Sequence, residues 1–249
     1  MSDQARDIDL FGMPLEGVAA YWLSLKKLVG GSRNFKVLVR EAEFTAEPFI
    51  HHLLDLAFNS RVDDAHVRAF ASIKGDVICQ EQDKRLDLMR IAVMDVVDGE
   101  NPHRTYARMA ARLLAMPIDA ERALTYAQEL LRLALEKEPS ESYFIINNRH
   151  QDDKLIVTLL FYVVLARHHG RIACRPFMEH QQCRFFGDAL SLVVDGFDAP
   201  FVRKWMKRHK DILLADLRHK MSMSIELCIG MRNRMDYEDI YRAAQSFIR

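Results

Sequence analysis

This chain has little of what usually announces a function. It has no excess charge of either sign: lysine plus arginine and aspartate plus glutamate both number 35, so the formal net charge is zero. That argues against a nucleic-acid or anionic-membrane surface, because both partners demand a basic excess. Only four cysteines occur (Cys79, Cys174, Cys183, Cys228), without framework spacing, and they read as small buried hydrophobes of a reducing compartment. The longest apolar run, Leu155 to Ala166, falls roughly half a dozen residues short of a bilayer span and reads as a buried helix. Met1–Asp7 lacks the basic-then-apolar build of a signal peptide, so a soluble cytoplasmic protein is expected. No segment joins period-two alternation to β-branched enrichment and turn residues, which excludes an expected strand. A phosphate loop is missing too: Gly30-Gly31-Ser32 follows a helix and lacks the Gly-Lys-Ser/Thr ending.

What is present is helix. Pro14, Pro48, Pro102, Pro117 and Pro200 stand at or just before apolar-periodic stretches, where a missing N–H costs nothing. Helices are expected at 14–29, 35–44, 48–58, 63–97, 103–115, 119–136, 153–168, 171–183 (kinked near its start by Pro176), 184–194, 199–232 and 237–248. Asp119 and Asp236 are expected N-caps. The two longest, 63–97 and 199–232, have apolar ends and polar middles, so each is either one helix of about 50 Å or two helices broken in the middle.

Those long helices belong to an apparent repeat. Slid by 135 positions, Asp63-Asp64-Ala65-His66-Val67-Arg68 falls on Asp198-Ala199-Pro200-Phe201-Val202-Arg203, and the register runs ungapped to the C-terminus. Phe70 meets Trp205, Asp76 meets Asp211, and Tyr106 meets Tyr241. Upstream, at an offset of 136, Leu54 and Leu56 meet Leu190 and Leu192, and Leu23 meets Leu159. The expected organisation is a first helical unit at 1–115, a connecting helix and linker at 116–152, and a second unit at 153–249. The fold expected is all-α, with the long helices packed as an intramolecular pseudo-dimer.

The order within a repeat carries a resemblance. An apolar helix ends in Ala166-Arg167-His168-His169-Gly170; a short helix follows, then Leu190-Ser191-Leu192-Val193-Val194-Asp195-Gly196, then a charged helix from Asp198 through Val202-Arg203. This set resembles the cytoplasmic region of MotA-type flagellar stator subunits, relatives of the TolQ and ExbB proteins. It covers 155–249 and, more weakly, 18–114, where Gly99-Glu100-Asn101-Pro102 looks like the turn before the stator tail. The resemblance implies a motility component as protein partner. The family's four membrane helices are absent, so ion conduction is excluded. Its turn arginine matches Arg167, but the glutamate expected eight residues on is Arg175, and the first repeat has Gly31 and Val39 at these places.

The expected partner-binding residues are therefore Arg167, His168, His169, Arg171 and Arg175, reinforced by Arg203, Lys204 and Lys207 in the run that continues to Lys210. The plain alternative is a solvated helix junction. Phe185, Phe186, Phe197, Phe201, Trp205 and Met206 flank the Asp195-Gly196 turn as core or, if exposed, as a docking patch. His180 and Cys183 share a helix face, but no second pair completes a zinc set, and no cofactor motif occurs. No catalytic set can be assigned by spacing, and the chain is expected to be a non-enzymatic interaction module. Two alternatives are a metal-dependent hydrolase using His168, His169, His180 and Asp188, and a helical scaffold binding nucleic acid. Neither nucleic acid nor membrane insertion is expected; a homo-oligomer is left open.

Overall fold

The computed structural model describes residues 8–30 and 35–248; residues 1–7, 31–34 and 249, and with them Met1–Asp7 and Gly31-Ser32 of the sequence reading, lie outside the described residues. Among the described residues the protein is all-α, with no strand. The helices are α1 (Leu15–Val29), α2 (Lys36–Phe44), α3 (Pro48–Phe58), α4 (Asp64–Asp98), α5 (Pro102–Ala110), α6 (Ala120–Ala134) and α7 (Asp152–His169). A 3₁₀ turn (Arg171–Cys174), α8 (Arg175–Met178), α9 (Arg184–Val194), α10 (Ala199–Arg232) and α11 (Tyr237–Ile248) complete the chain.

Local chemistry sets most of these boundaries. Asp63 accepts from the His66 amide at 2.9 Å, Asp119 from Arg122 at 2.9 Å, Asp198 from Phe201 at 2.8 Å and Asp236 from Asp239 at 2.8 Å. Each carboxylate satisfies an amide that the first turn leaves without a helical partner, and its charge suits the helix dipole. Pro48 and Pro102 occupy first turns, where Glu47 and Asn101 accept the next free amides. The expected helix at 171–183 is instead a 3₁₀ turn and a four-residue helix, followed by a turn. Pro176 sits in the first turn of α8 and starts it rather than kinking a longer helix. The helix expected to reach 115 stops at Ala110. In contrast, α4 and α10 run through their polar middles without a break.

Two compact units form, one from residues 1–81 with 213–249, the other from 82–212. This partition cuts across the blocks 1–115 and 153–249, because each long helix contributes one half to each unit. The core of the first unit joins Trp22, Leu25, Phe49, Leu53, Val67 and Ala71 to Leu217, Met221, Leu227, Cys228 and Ile240. Trp22 donates its indole N–H to Ser224 Oγ at 2.9 Å inside this core, as a buried indole requires. The second unit is centred on α7, which packs against α5, α6 and the 3₁₀ turn. Nearly all of Leu155–Ala166 is buried there, which accounts for the apolar run. Rings of Phe144, Phe161, Tyr162 and Phe177 meet edge-on or tilted, and the Tyr162 hydroxyl donates to the Phe144 carbonyl at 2.7 Å. Among the described residues no helix is long and apolar enough to cross a membrane.

Candidate partner-binding site

One end of the second unit gathers three glycine turns with positive φ, at Gly99 (59°), Gly170 (78°) and Gly196 (94°). Left-handed backbone of this kind favours glycine, and it lets α7 stop at His169 and the chain reverse. The expected basic residues meet these turns. Arg167 donates to the Gly99 carbonyl at 3.3 Å, and Arg175 lies 3.5 Å from the Asp195 carboxylate. The Arg171 guanidinium stands 3.8 Å from where a Cβ on Gly196 would be. His168 and His169 are exposed, with ring centroids 6.3 Å apart. The sequence-adjacent cations of 167–175 and the start of α10 are thus brought together through the Asp195-Gly196 turn.

Along the first turns of α10, Arg203, Lys204, Lys207 and Arg208 are exposed, and none makes an ion pair among the described residues. The opposite side of this helix is buried through Val202 and Met206. Phe201, Trp205, Arg208 and Ile212 follow one another at helical spacing on its outer face, with Phe201 and Ile212 about half exposed. Phe197 stacks on Phe201 with centroids 4.9 Å apart, also in the open. The aromatic group therefore divides: Phe185, Phe186 and Met206 are core, Phe197 and Phe201 are surface, and Trp205 is half-buried against His209 at 4.7 Å. Lys210, the last cation of the run, differs from the other four. It is held 2.8 Å from Asp83 and 2.9 Å from Asp87.

That ion pair belongs to a buried network which sequence reasoning missed. Asp87 and Asp95 are fully buried. Asp87 meets Lys210, Arg90 at 3.3 Å and Arg112; Asp95 meets Arg108, which also reaches Glu100 at 2.8 Å. Burial raises the Asp95 carboxyl above its usual range, while the Thr105 hydroxyl and Arg108 pull the other way. Nearby, buried Arg85 holds Asp152 at 2.5 Å and the His150 carbonyl at 2.6 Å. Every acid here is answered by a cation, so the network ties α4 to α5, α7 and α10 within the unit. A detectable signal existed: Asp87 lies in Leu86-Asp87-Leu88-Met89 and Asp95 in Met94-Asp95-Val96, acids flanked on both sides by apolar residues.

Among the described residues no three His, Cys, Asp or Glu side chains gather as a metal site. Cys183 faces the Met89 sulfur at 3.7 Å, its thiol pushed up to about 11 by burial, while His180 is exposed. No family model, curated protein or solved structure matches the chain.

Proposed function

We propose that this protein is a non-enzymatic interaction module that binds an acidic, amphipathic protein segment at the basic end of the 82–212 unit. The observation that carries the reading is the outer face of α10. Exposed Lys204 and Arg208 lack carboxylate partners among the described residues and run beside an apolar line of Phe201, Trp205 and Ile212, with Phe197 stacked at its start; Arg203 and Lys207 are exposed further round the helix. An apolar strip edged by unpaired cations fits a partner helix that is apolar along one face and acidic at its edges. A nucleic acid would answer the cations but not the apolar line. The resemblance to stator cytoplasmic regions makes a flagellar motor or other motility component the first partner to test.

The module is, in this reading, an internal duplication. Its support is positional. Helix α3 starts at 48 and α9 at 184, α4 at 64 and α10 at 199, α5 at 102 and α11 at 237, which gives offsets of 136, 135 and 135. Asp63 and Asp198 cap their helices through the equivalent amides, and Asn101 and Asp236 each cap the helix that follows, through the second and third amides on respectively. The helix-ending bonds Glu100 N to Asp95 O and Met235 N to Gly230 O are both 3.0 Å and occupy matching positions. Between them lie Gly99 (φ 59°) and Arg234 (φ 62°), the latter alone among described non-glycine residues in having positive φ. Buried and exposed positions also alternate in step along the two long helices.

An affinity capture from native cells tests the binding reading. The double variant Lys204→Glu/Arg208→Glu, with helicity unchanged by circular dichroism, should lower recovery of the partner at least tenfold. Unchanged recovery would make the face an ordinary solvated surface.

A further inference from the structure

The segments that build each compact unit carry more than the duplication itself. Under the 135–136 register, α1 corresponds to α7 and α5 to α11. In the first unit α1 packs on α11; in the second α7 packs on α5. The head of one repeat is therefore covered by the tail of the other, reciprocally. We infer that the chain is a fused, segment-exchanged dimer, in which the head surface of each repeat is an interaction surface whose partner is the tail of a second copy of that repeat.

This inference rests on the duplication and adds the way the copies are interwoven. The first unit makes the case with specific contacts. Asn233 from the second repeat donates to Asp64 of the first at 2.7 Å, and Arg232 lies 3.3 Å from the same carboxylate and reaches the Val62 carbonyl. Arg68 pairs with Glu226, Trp22 donates to Ser224 at 2.9 Å, and the Lys27 ammonium lies 5.2 Å from the Tyr237 ring centroid. The second unit mirrors this with the roles reversed. Arg85 and Met89 of the first repeat meet Asp152 and Cys183 of the second, and Gly99 receives the Arg167 bond.

The physical cause is the continuity of the long helices. A repeat whose long helix bent in its middle could fold its tail back on its own head. Helices of 35 and 34 residues rise about 50 Å, so neither tail can reach its own head. Residues 79–85 and 214–220 contain no glycine or proline to permit a bend. Both stretches also end on a buried cation at the same repeat position, Arg85 and Lys220; the latter is paired with Asp216 one turn back at 2.5 Å. Burying an ammonium or guanidinium there is costly unless its partners are held, and a bend would release them. Exchange also explains the connector. Because the first tail lies on the second head, residues 111–151 need only join α5 to α7 inside one unit, and α6 packs on both. A covalent connector makes the exchange intramolecular, where two separate repeats would form a domain-swapped dimer.

The test uses the full chain with a specific protease site inserted in the exposed turn around Glu138–Ser142. Asp64→Cys and Asn233→Cys are added, the four native thiols being buried. After cleavage, the nicked protein should sediment as one species of 28.9 kDa. A short bis-maleimide should then join the two fragments into one band on a denaturing gel, with loss of at least half of both free fragments. Fragments that separate on native sedimentation, or that stay unjoined, overturn the exchange. Bands of twice the chain mass overturn its intramolecular form. If that pair prevents folding, Lys27→Cys with Tyr237→Cys gives the same readout. The duplication is tested separately, by transplanting residues between repeats, so either idea can fail alone.

Discussion

Gly230 offers a sharp test of whether the two repeats are equivalent. It is buried in α10, and a Cβ there would stand 2.6 Å from Ile240 Cδ1 and 2.9 Å from Met235 Sδ. Subtracting 135, its counterpart is Asp95, and those of Met235, Ile240 and Ala243 are Glu100, Thr105 and Arg108. The same four positions in the 135-residue register thus hold an apolar contact in one place and a buried carboxylate paired with Arg108 in the other. Gly230→Asp alone should cost roughly 1–3 kcal/mol for overpacking, plus roughly 3–5 kcal/mol for an uncompensated buried charge. For a chain of this size that is a fall in Tm on the order of 10–30 °C, or unfolding outright. Gly230→Asp/Met235→Glu/Ile240→Thr/Ala243→Arg rebuilds the Asp95 network in the other repeat. It should be more stable than Gly230→Asp alone, although it carries three more substitutions. Urea melts of the singles and the quadruple give the coupling, expected near 3 kcal/mol in favour of the set. A quadruple less stable than Gly230→Asp would refute the equivalence of the repeats.

Two further outcomes follow from buried titratable groups. His150 is buried with Nδ1 unpartnered, and burial, then the positive charges of Lys154 and Arg85, push its pKa down from 6.5 to about 4. The unfolded chain therefore binds the extra proton between these values. Stability should be full above pH 6.5 and fall by roughly 3 kcal/mol as pH drops to 4; His150→Phe should flatten this limb in urea melts, and an unchanged limb would exonerate the histidine. Burial also raises the Cys174 thiol to about 12, the Cys183 thiol to about 11 and Cys228 further still. Native protein at pH 8 should label with a thiol reagent at least a hundredfold more slowly than the urea-unfolded chain, and one site reacting at the unfolded rate would contradict the burial.

The parts of this fold legible in the sequence are those fixed by neighbours in the chain. Asp119 and Asp236 cap helices as expected, Pro48 and Pro102 open them, and the bounds of α3, α9, α10 and α11 fall within a residue of expectation. The failures share a cause. Arg171–Met178 has helical neighbours throughout, yet α7, α9 and the Asp195 turn shape it into a 3₁₀ turn and a single helical turn. Of the candidate site, the cations of 167–175 and 203–207 were legible as a charge run, but composition could not divide them. Arg167 and Arg175 are engaged with turns and Lys210 is consumed by Asp83 and Asp87, while Arg203, Lys204, Lys207 and Arg208 are exposed without an ion pair among the described residues. The side of a helix on which a charge emerges follows from periodicity; whether an acid waits there depends on a residue more than a hundred positions away.

The same distinction governs the long helices. Cys79–Arg85 has no glycine or proline to permit a bend, so its backbone favours a straight helix, and long-range contacts reinforce that choice. Buried Arg85 is met by the Asp152 carboxylate and the His150 carbonyl, more than sixty positions further along the chain. Remove that partner and the guanidinium would return to water, and with it one reason for the helix to run straight. In the segment-exchanged reading, the covalent connector supplies the opposite tail at high effective concentration and so favours the straight form. The face proposed for a partner lies on residues 199–212 of α10, within the 82–212 unit, while residues 213–232 build the core of the other unit with residues far earlier in the chain.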